Sequence, residues 1–378
     1  MAGMSWMLFI VASYILVERG VTEAACPTSC QCDVAQDGQK RIRCQLVDRS
    51  PPLDLTRFDR NVQVLEIVIS GPSRSKPYGP DVPPEFGDLP RLDKLVLKNA
   101  GIERLSASTA SGLSRLFTLD LTGNNIRSLT DLSLADLPQL GVLNLGQNQI
   151  TSIDGQSLRF LPKLQSLTLA DNKISQVSVD AFTSQALLRV LDLRNNNLRQ
   201  LPNDLFDRIT RVERLDLRGN QLIVLPRGLL RLNALRFLLL DNNRLSAIPR
   251  EFVLAWRSDT ALEDVTLYGN PLQCDEGLQP LVDWVKTSAG VQQVCRVVGR
   301  TGDKEKSGTC PVCEAPSRLR GVPLDQLRAS DLAVTADGSS SPLSSRLVRG
   351  DDGSRPSQAS SFIITEVRSR SSRPTQFP

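Results

Sequence analysis

The sequence predicts an α/β-type repeat solenoid, a curved horseshoe-like rod with a parallel β-sheet on its concave face and a disulfide-bonded unit at each end. Leucines recur at a nearly fixed interval through the middle of the chain, and all eight cysteines lie outside that region. Aromatic residues make up only 4% of the 378 residues. A compact globular core usually depends on aromatic rings for burial, whereas stacked leucines do not.

The first 25 residues are typical of a secretory signal peptide. An apolar stretch from Trp6 to Val17 precedes the small-residue run Thr22-Glu23-Ala24-Ala25, which fits cleavage after Ala24 or Ala25. Twelve apolar residues are too few to cross a bilayer, which takes about 20. We therefore expect a secreted protein in the extracellular space, and no later segment is apolar enough to form a membrane span.

The cysteines form two clusters, four within Cys26–Cys44 and four within Cys274–Cys313. An even number of cysteines at two ends of a chain with a signal peptide predicts two disulfide-stapled units. Cys310 and Cys313 also have the spacing of a zinc or redox motif. Secretion and the absence of a surrounding βαβ pattern favour a disulfide instead, and we expect neither a metal nor a cofactor.

The middle of the chain repeats the pattern L-x-x-L-x-L-x-x-N-x-L at intervals of 23 to 27 residues. Leucines within a unit alternate as in a strand with one buried face. No unit can bury its leucines alone, so the units must stack and the end units need covers. The clearest units begin at Leu116, Leu140, Leu164, Leu188, Val212, Leu235 and Leu262. An eighth unit begins at Leu92, with Ala100 in place of the asparagine, and an irregular ninth at Val62.

The asparagine of each unit stands where the chain turns off the strand into the core. A side-chain amide there can bond to backbone groups that would otherwise be unpaired, at a cost of about 1–3 kcal/mol each. These residues are Asn124, Asn148, Asn172, Asn196, Asn220, Asn243 and Asn270. Later in the unit, Phe182 and Phe206 are expected to fill the core on the convex side.

Two motifs flank the repeats and resemble the cysteine caps of extracellular leucine-rich-repeat proteins such as the Slit proteins and the Nogo receptor. One is Cys26-Pro27-Thr28-Ser29-Cys30-Gln31-Cys32 with Cys44, and the other is Asn270-Pro271-Leu272-Gln273-Cys274-Asp275 with Leu281 and Trp284. The resemblance covers residues 26–314 and implies a scaffold that binds other macromolecules. It does not imply one ligand, because relatives with the same scaffold bind unrelated partners.

The resemblance also implies a disulfide pairing, with Cys26–Cys32 and Cys30–Cys44 in the amino-terminal cap. In the carboxy-terminal cap Glu276 stands where the family has its second cysteine. The family pair there is Cys274–Cys295, which leaves Cys310 to pair with Cys313. The domains are then a signal peptide at 1–25, an amino-terminal cap at 26–61, repeats at 62–269, a carboxy-terminal cap at 270–314 and a tail at 315–378.

The composition argues against two classes of function. The chain contains no histidine, the commonest general base at neutral pH, and every cysteine is assigned to a cap. We therefore expect no enzyme and no catalytic residue. The net charge is only +4, and the tail carries three of those charges, so the folded part lacks the basic face of a nucleic-acid-binding protein.

The non-leucine strand positions point out of the concave face and are candidates for binding. In the first half of the repeats these positions hold mostly small side chains, and in the second half they hold charged and aromatic side chains. Exposed arginine and aromatic side chains on a rigid surface are typical of interface hot spots. The set comprises Asp192, Arg194, Arg214, Asp216, Arg218, Phe237, Leu239 and Tyr268. Cross-strand ion pairs on a solvated sheet would explain the charges but not Phe237, Leu239 and Tyr268.

The tail is rich in serine, arginine, proline and glycine from Ser339 onward, which predicts disorder. It contains Arg349-Gly350-Asp351, which resembles the integrin-recognition tripeptide, although a three-residue match arises easily by chance. We expect a protein that binds an extracellular protein ligand or receptor through the concave face. The alternatives are an adhesion or matrix protein that uses the tripeptide on an integrin, the soluble form of a receptor ectodomain, and a non-catalytic subunit of a secreted enzyme complex.

Overall fold

The computed structural model describes most of the chain between Cys26 and Ala333. The predicted signal peptide and the Arg349-Gly350-Asp351 tripeptide lie outside the described residues. The described ranges are 26–47, 53–54, 58–70, 80–259, 261–295 and 310–333.

A single sheet takes one strand from each of the nine predicted repeats. In the described ranges it has eleven strands, which lie across the sheet in this order: β1 (Cys30–Val34), β2 (Lys40–Val47), β3 (Val64–Ser70), β4 (Lys94–Lys98), β5 (Thr118–Asp120), β6 (Val142–Asn144), β8 (Ser166–Thr168), β10 (Val190–Asp192), β11 (Arg214–Asp216), β12 (Phe237–Leu239) and β13 (Asp264–Thr266). The hairpin β1–β2 is antiparallel and every other pairing in this sheet is parallel, which confirms the predicted solenoid.

Short elements connect these strands. Two further sheets pair β7 (Ser152–Ile153) with β9 (Gln176–Val177), and β14 (Leu272–Gln273) with β15 (Cys313–Ala315). The α-helices are α1 (Ala107–Gly112), α2 (Arg250–Ser258), α3 (Gln279–Val285), α4 (Ser288–Val294) and α5 (Ala329–Leu332). The 3-10 helices are Pro84–Asp88, Leu129–Asp131, Leu134–Asp136, Arg227–Arg231, Glu276–Leu278, Ser317–Leu319 and Leu324–Gln326.

The repeat leucines form one continuous core from the first cap to the last. Leu119, Leu143 and Leu167, which pair in register on β5, β6 and β8, are fully buried. Phe182 and Phe206 close the same core from the opposite side, as predicted. Each buried leucine contributes about 2 kcal/mol through removal of apolar surface from water. The leucines that recur in every repeat therefore stabilise the stack.

The repeat asparagines connect neighbouring units through buried hydrogen bonds. Asn172 donates from Nδ2 to the carbonyl oxygens of Leu145 (2.9 Å) and Leu169 (3.1 Å). Its Oδ1 accepts from the backbone N–H of Ile150 at 3.0 Å. The same pattern recurs at Asn124, Asn148, Asn196, Asn220, Asn243 and Asn270. The chain leaves each strand at the same point because this side chain satisfies the backbone there.

The amino-terminal cap contains the two disulfides implied by the family resemblance. Cys26 bonds to Cys32, and Cys30 bonds to Cys44. The second bond joins the paired residues of the hairpin β1–β2, in which Cys30 lies opposite Cys44. The hairpin thereby covers the first repeat strand, β3, through its parallel pairing with β2.

The carboxy-terminal cap differs from the prediction in both its disulfides and its length. The bonds are Cys274–Cys313 and Cys295–Cys310, so the predicted pairs Cys274–Cys295 and Cys310–Cys313 are wrong. The physical reason is the pairing of β14 with β15, which brings Cys313 beside the strand that leads into Cys274. The backbone N–H of Cys274 donates to the carbonyl of Ala315 at 2.7 Å.

Residues 315–333 belong to this cap and not to the tail. They form two 3-10 helices and α5, and their leucines are buried against the end of the repeats. These leucines are Leu319, Leu324, Leu327 and Leu332. The predicted boundary at residue 314 is therefore wrong, and the cap extends to residue 333 as described.

Candidate interaction face of the sheet

Parallel pairing places the predicted binding residues on four adjacent strands. Val190, Arg214, Phe237 and Asp264 are successive partners across β10, β11, β12 and β13. Two residues further on, Asp192, Asp216, Leu239 and Thr266 are successive partners in the same way. The leucines between these positions are buried, so the strand alternation directs both rows away from the repeat core.

Asp216 and Arg218 form the best-defined ion pair on this surface. Arg218 donates from Nε to Oδ1 at 2.9 Å and from the guanidinium nitrogen Nη2 to Oδ2 at 2.5 Å, a bidentate contact. Asp216 is only 1% exposed. The hydrogen bond to Asp216 raises the pKa of Arg218, against the opposing effect of burial. The pair fixes one guanidinium on the sheet before any ligand arrives.

Asp192 and Arg194, one strand earlier, form a looser pair. The terminal nitrogen of Arg194 lies 3.5 Å from Oδ2 of Asp192, and its backbone N–H donates to Oδ1 at 3.1 Å. Burial raises the pKa of Asp192 and the charge of Asp216 adds to this, although the hydrogen bond from Arg194 opposes it. Arg194 keeps a larger exposed fraction than Arg218 and is the more accessible cation.

Phe237 lies between two guanidinium groups. The central carbons of Arg214 and Arg236 each lie 5.5 Å from the centroid of its ring, within the range of cation–π attraction. Arg236 is held in turn by Glu263, to which its Nε donates at 2.8 Å. The sequence interpretation missed Arg236, which lies one residue before β12 and so is not one of the outward-facing strand positions.

Leu239 does not contribute to the exposed surface that was predicted for it. It is 2% exposed, and its partners in register, Asp216 and Thr266, are buried as well. The alternation of the strand directs Leu239 away from the repeat core, but the packed side chains of the neighbouring strands cover it. With Leu239 excluded from the exposed surface, Phe237 and Tyr268 are the remaining apolar members of the predicted set.

Tyr268 is 49% exposed, and Asp241, a second residue missed at the sequence level, holds its backbone in place. Oδ1 of Asp241 accepts from the backbone N–H of Tyr268 at 2.9 Å, and Oδ2 accepts from the hydroxyl of Thr266 at 2.8 Å. Asp241 has the same position in its repeat as Arg194 and Arg218 have in theirs. Because Asp241 is buried, it stabilises the residues around it and is not part of the exposed surface. Tyr268 therefore projects from a fixed backbone.

The first half of the sheet carries more ion pairs than its sequence suggests. Glu66 lies between Arg43 (3.3 Å) and Lys94 (2.5 Å), and Lys98 contacts Asp120 at 3.0 Å. These charges compensate one another across strands, as the ion-pair interpretation of such alternation expects. At the outward strand positions and the residues that directly follow the described strands, the aromatic side chains are Phe237, which is half-buried, and Tyr268, which is exposed, and both lie in the carboxy-terminal half.

The described ranges lack both a metal-binding cluster and a membrane-spanning helix. No group of three or more cysteine, aspartate, glutamate or histidine side chains there could hold a metal ion. The helices of those ranges are all too short or too polar to cross a membrane. The described sheet face carries paired charges and aromatic rings.

Comparison with known proteins agrees with this architecture. The family model described as leucine rich repeat matches overlapping segments at 90–150, 118–174, 138–198, 162–222 and 186–245. Human immunoglobulin superfamily member 10 is 30% identical over 100 residues, which is 26% of this chain and 4% of that protein.

Two solved structures resemble the chain in fold. The Drosophila Toll chain in the Toll–Spatzle complex has a TM-score of 0.53 at 22% identity, and the match covers 75% of this chain and 44% of Toll. The Leptospira interrogans protein LIC12759 has a TM-score of 0.47 at 21% identity, over 62% and 61% of the two chains. The chain thus spans less than two thirds of each of these relatives. With its nine stacked repeats and two disulfide-bonded ends, the chain is a leucine-rich-repeat protein with cysteine caps.

Proposed function

We propose that the protein is secreted and binds a protein ligand through the carboxy-terminal half of its sheet face. We define this binding face by Arg194, Arg214, Phe237 and Tyr268. Asp192 contacts Arg194, the guanidinium of Arg214 lies over the Phe237 ring, and Asp241 holds the backbone of Tyr268. The observation that carries the proposal is a pair of aromatic residues: Phe237, half-buried and contacted by the guanidinium groups of Arg214 and Arg236, and Tyr268, which is 49% exposed on an anchored backbone. Aromatic and arginine side chains dominate the energy of protein interfaces.

The support of these side chains favours tight recognition. Ordering a flexible side chain on binding costs about 0.5–1.5 kcal/mol. The contacts of Phe237 with the guanidinium groups of Arg214 and Arg236 and the anchored backbone of Tyr268 meet part of that cost in advance. Phe237, Arg214 and Arg236 all remain at least partly exposed, so their side chains are accessible to a partner.

Disulfide chemistry supports the extracellular assignment. Each cap is closed by two disulfides, and the described residues contain no free cysteine. Such bonds persist in oxidising compartments. The predicted signal peptide adds to this, and amino-terminal sequencing of the product in culture medium should begin at Ala25 or Cys26. Toll, which shares the fold, was solved in a complex with Spatzle.

The test is affinity capture from extracellular fluid with three tagged baits. They are the wild-type protein, the double variant Phe237→Ala/Tyr268→Ala, and a control double variant, Phe160→Ala/Val179→Ala, which removes exposed apolar side chains elsewhere. We expect a protein that the wild type and the control enrich equally and that the first variant loses by about tenfold or more. Equal capture by all three baits would place the ligand on another surface.

A further inference from the structure

A groove along one edge of the first repeats, distinct from the binding face, carries an unusual combination of side chains. It lies where the chain enters the strands β4, β5, β6 and β8, and it has a volume of about 790 Å³. Its lining includes the cations Arg91, Arg115 and Lys163, the ring of Phe117, and the amides of Gln139 and Gln165. We call it the edge groove.

The cations of the edge groove form a row because they share one position in successive repeats. Each stands immediately before the first leucine or valine of its unit, and the row reads Arg91, Arg115, Gln139, Lys163, Leu187, Arg211. Neighbouring strands are about 4.8 Å apart, so the row presents positive charge at regular steps along the stack. The three cations of the groove face a single lining carboxylate, Asp93.

These charges lack the compensation found farther along the same edge. Arg189 pairs with Glu213 at 2.5 Å, and Arg236 pairs with Glu263. In the part of the chain that the structure describes, Arg91 and Arg115 make no ion pair, and Lys163 donates to the neutral amide of Gln139 at 2.5 Å. Exposed cations without counter-ions produce a local field that attracts a polyanion.

The apolar floor of the edge groove is a ring that lies against the backbone. A Cβ atom on Gly141 would come within 2.2 Å of the Phe117 ring, so the absence of a side chain at 141 lets the ring pack there. Phe117 as a whole remains 37% exposed. A flat aromatic surface, amides that both donate and accept, and a line of cations together suit a sugar chain with regularly spaced anionic groups.

We propose that the edge groove binds a sulfated polysaccharide, with Arg91, Arg115 and Lys163 contacting sulfates and Phe117 packing against a sugar ring. This site is separate from the binding face and would allow the protein to be held on extracellular glycans while the face remains free. Attraction of this kind is strongly screened by salt.

The test measures binding of the full chain to immobilised heparin over a range of sodium chloride concentrations. The groove variant is Arg91→Gln/Arg115→Gln/Lys163→Gln, and the matched control is Arg127→Gln/Arg199→Gln/Arg244→Gln, which removes three exposed arginines from loops that follow the strands. We expect the groove variant to bind about tenfold more weakly or worse, with a smaller dependence on salt, because three charge contacts are lost. The control should bind nearly as well as the wild type, and thermal unfolding should verify that both variants fold.

A second pair of variants tests the ring without changing any charge. Phe117→Leu should weaken heparin binding at every salt concentration and leave the salt dependence intact, whereas Phe160→Leu, an exposed phenylalanine elsewhere, should have no effect. Equal losses in the groove variant and its control would overturn the proposal. So would equally good binding of hyaluronan, which carries carboxylates but no sulfates, or equal competition by polyglutamate.

Discussion

At the level of single residues, each repeat asparagine bonds to backbone groups of two neighbouring repeats. Asn196 donates to the carbonyls of Leu169 (2.9 Å) and Leu193 (3.0 Å) and accepts from the N–H of Ile174 (2.9 Å). Asn196→Ala leaves these three groups without that partner inside the stack. We expect a loss of about 3 kcal/mol in the free energy of unfolding, measured by urea denaturation. Asn197→Ala, at the exposed neighbouring position, should change it little, and equal losses would contradict this account.

Two aspartates in one row of the sheet are expected to respond oppositely to the same substitution. Burial raises the pKa of Asp192 above its unfolded value of 3.8, so its ionised form lowers stability above the folded pKa. That cost disappears as the pH falls below 3.8. Asp192→Asn should therefore leave the urea midpoint at pH 7 unchanged or slightly higher. Asn144, at the same position on β6, accepts the same kind of backbone hydrogen bond, from Gly146, so the turn tolerates an amide.

Asp216→Asn, by contrast, leaves Arg218 without its bidentate counter-ion. Arg218 is three-quarters covered, so its uncompensated charge is costly, and we expect a loss of about 1–3 kcal/mol at pH 7. Urea midpoints of both variants between pH 3 and pH 7 would check the pair of predictions. A stabilising effect of Asp216→Asn at pH 7 would contradict the assignment of this ion pair.

The fate of the predicted site residues shows which part of a surface the repeat pattern can reveal. The repeat interval places Arg214, Phe237 and Tyr268 at positions that point away from the core, and the structure has them on the sheet face. Whether a side chain at such an outward position is exposed to solvent depends on the size and packing of side chains on the adjacent strands. Leu239 is covered for that reason, and Asp241 supports Tyr268 through contacts between residues 27 positions apart.

At the level of elements, the two caps differ in how far local sequence determines their structure. The amino-terminal disulfides follow from a short hairpin in which Cys30 lies opposite Cys44. The carboxy-terminal disulfides depend on the return of residues 310–333 over the end of the repeats, where β15 joins β14. No periodic signal in the sequence indicates that return, because its elements are short and its leucines do not follow the repeat.

The carboxy-terminal pairing gives a direct prediction at this level. Proteolysis of the unreduced protein should yield one disulfide-linked peptide pair that contains Cys274 and Cys313 and a second that contains Cys295 and Cys310. Mass spectrometry before and after reduction would identify both. Recovery of Cys310–Cys313 as an internal loop, with Cys274 linked to Cys295, would restore the pairing that the family resemblance implies and contradict the packing of residues 310–333.

At the level of the whole molecule, the stack separates stability from recognition. The core leucines of the units, and the asparagine that seven of the nine units carry, are buried and recur from repeat to repeat, so they determine the fold and leave the outward positions free to vary. Two surfaces use that freedom differently: the binding face carries aromatic residues and supported arginines, and the edge groove carries uncompensated cations. The fold was predictable because its signal repeats nine times, whereas each surface occurs once.

The most direct test of the central claim is site-specific photo-crosslinking on the extracellular fluid used for capture. A photoreactive phenylalanine analogue replaces Tyr268 in one version of the protein and Phe160 in another, both at exposed positions. We predict that the version with the probe at 268 forms a covalent adduct with a protein, and that the version with the probe at 160 forms none. An adduct from position 160 alone would contradict the assignment of the binding face.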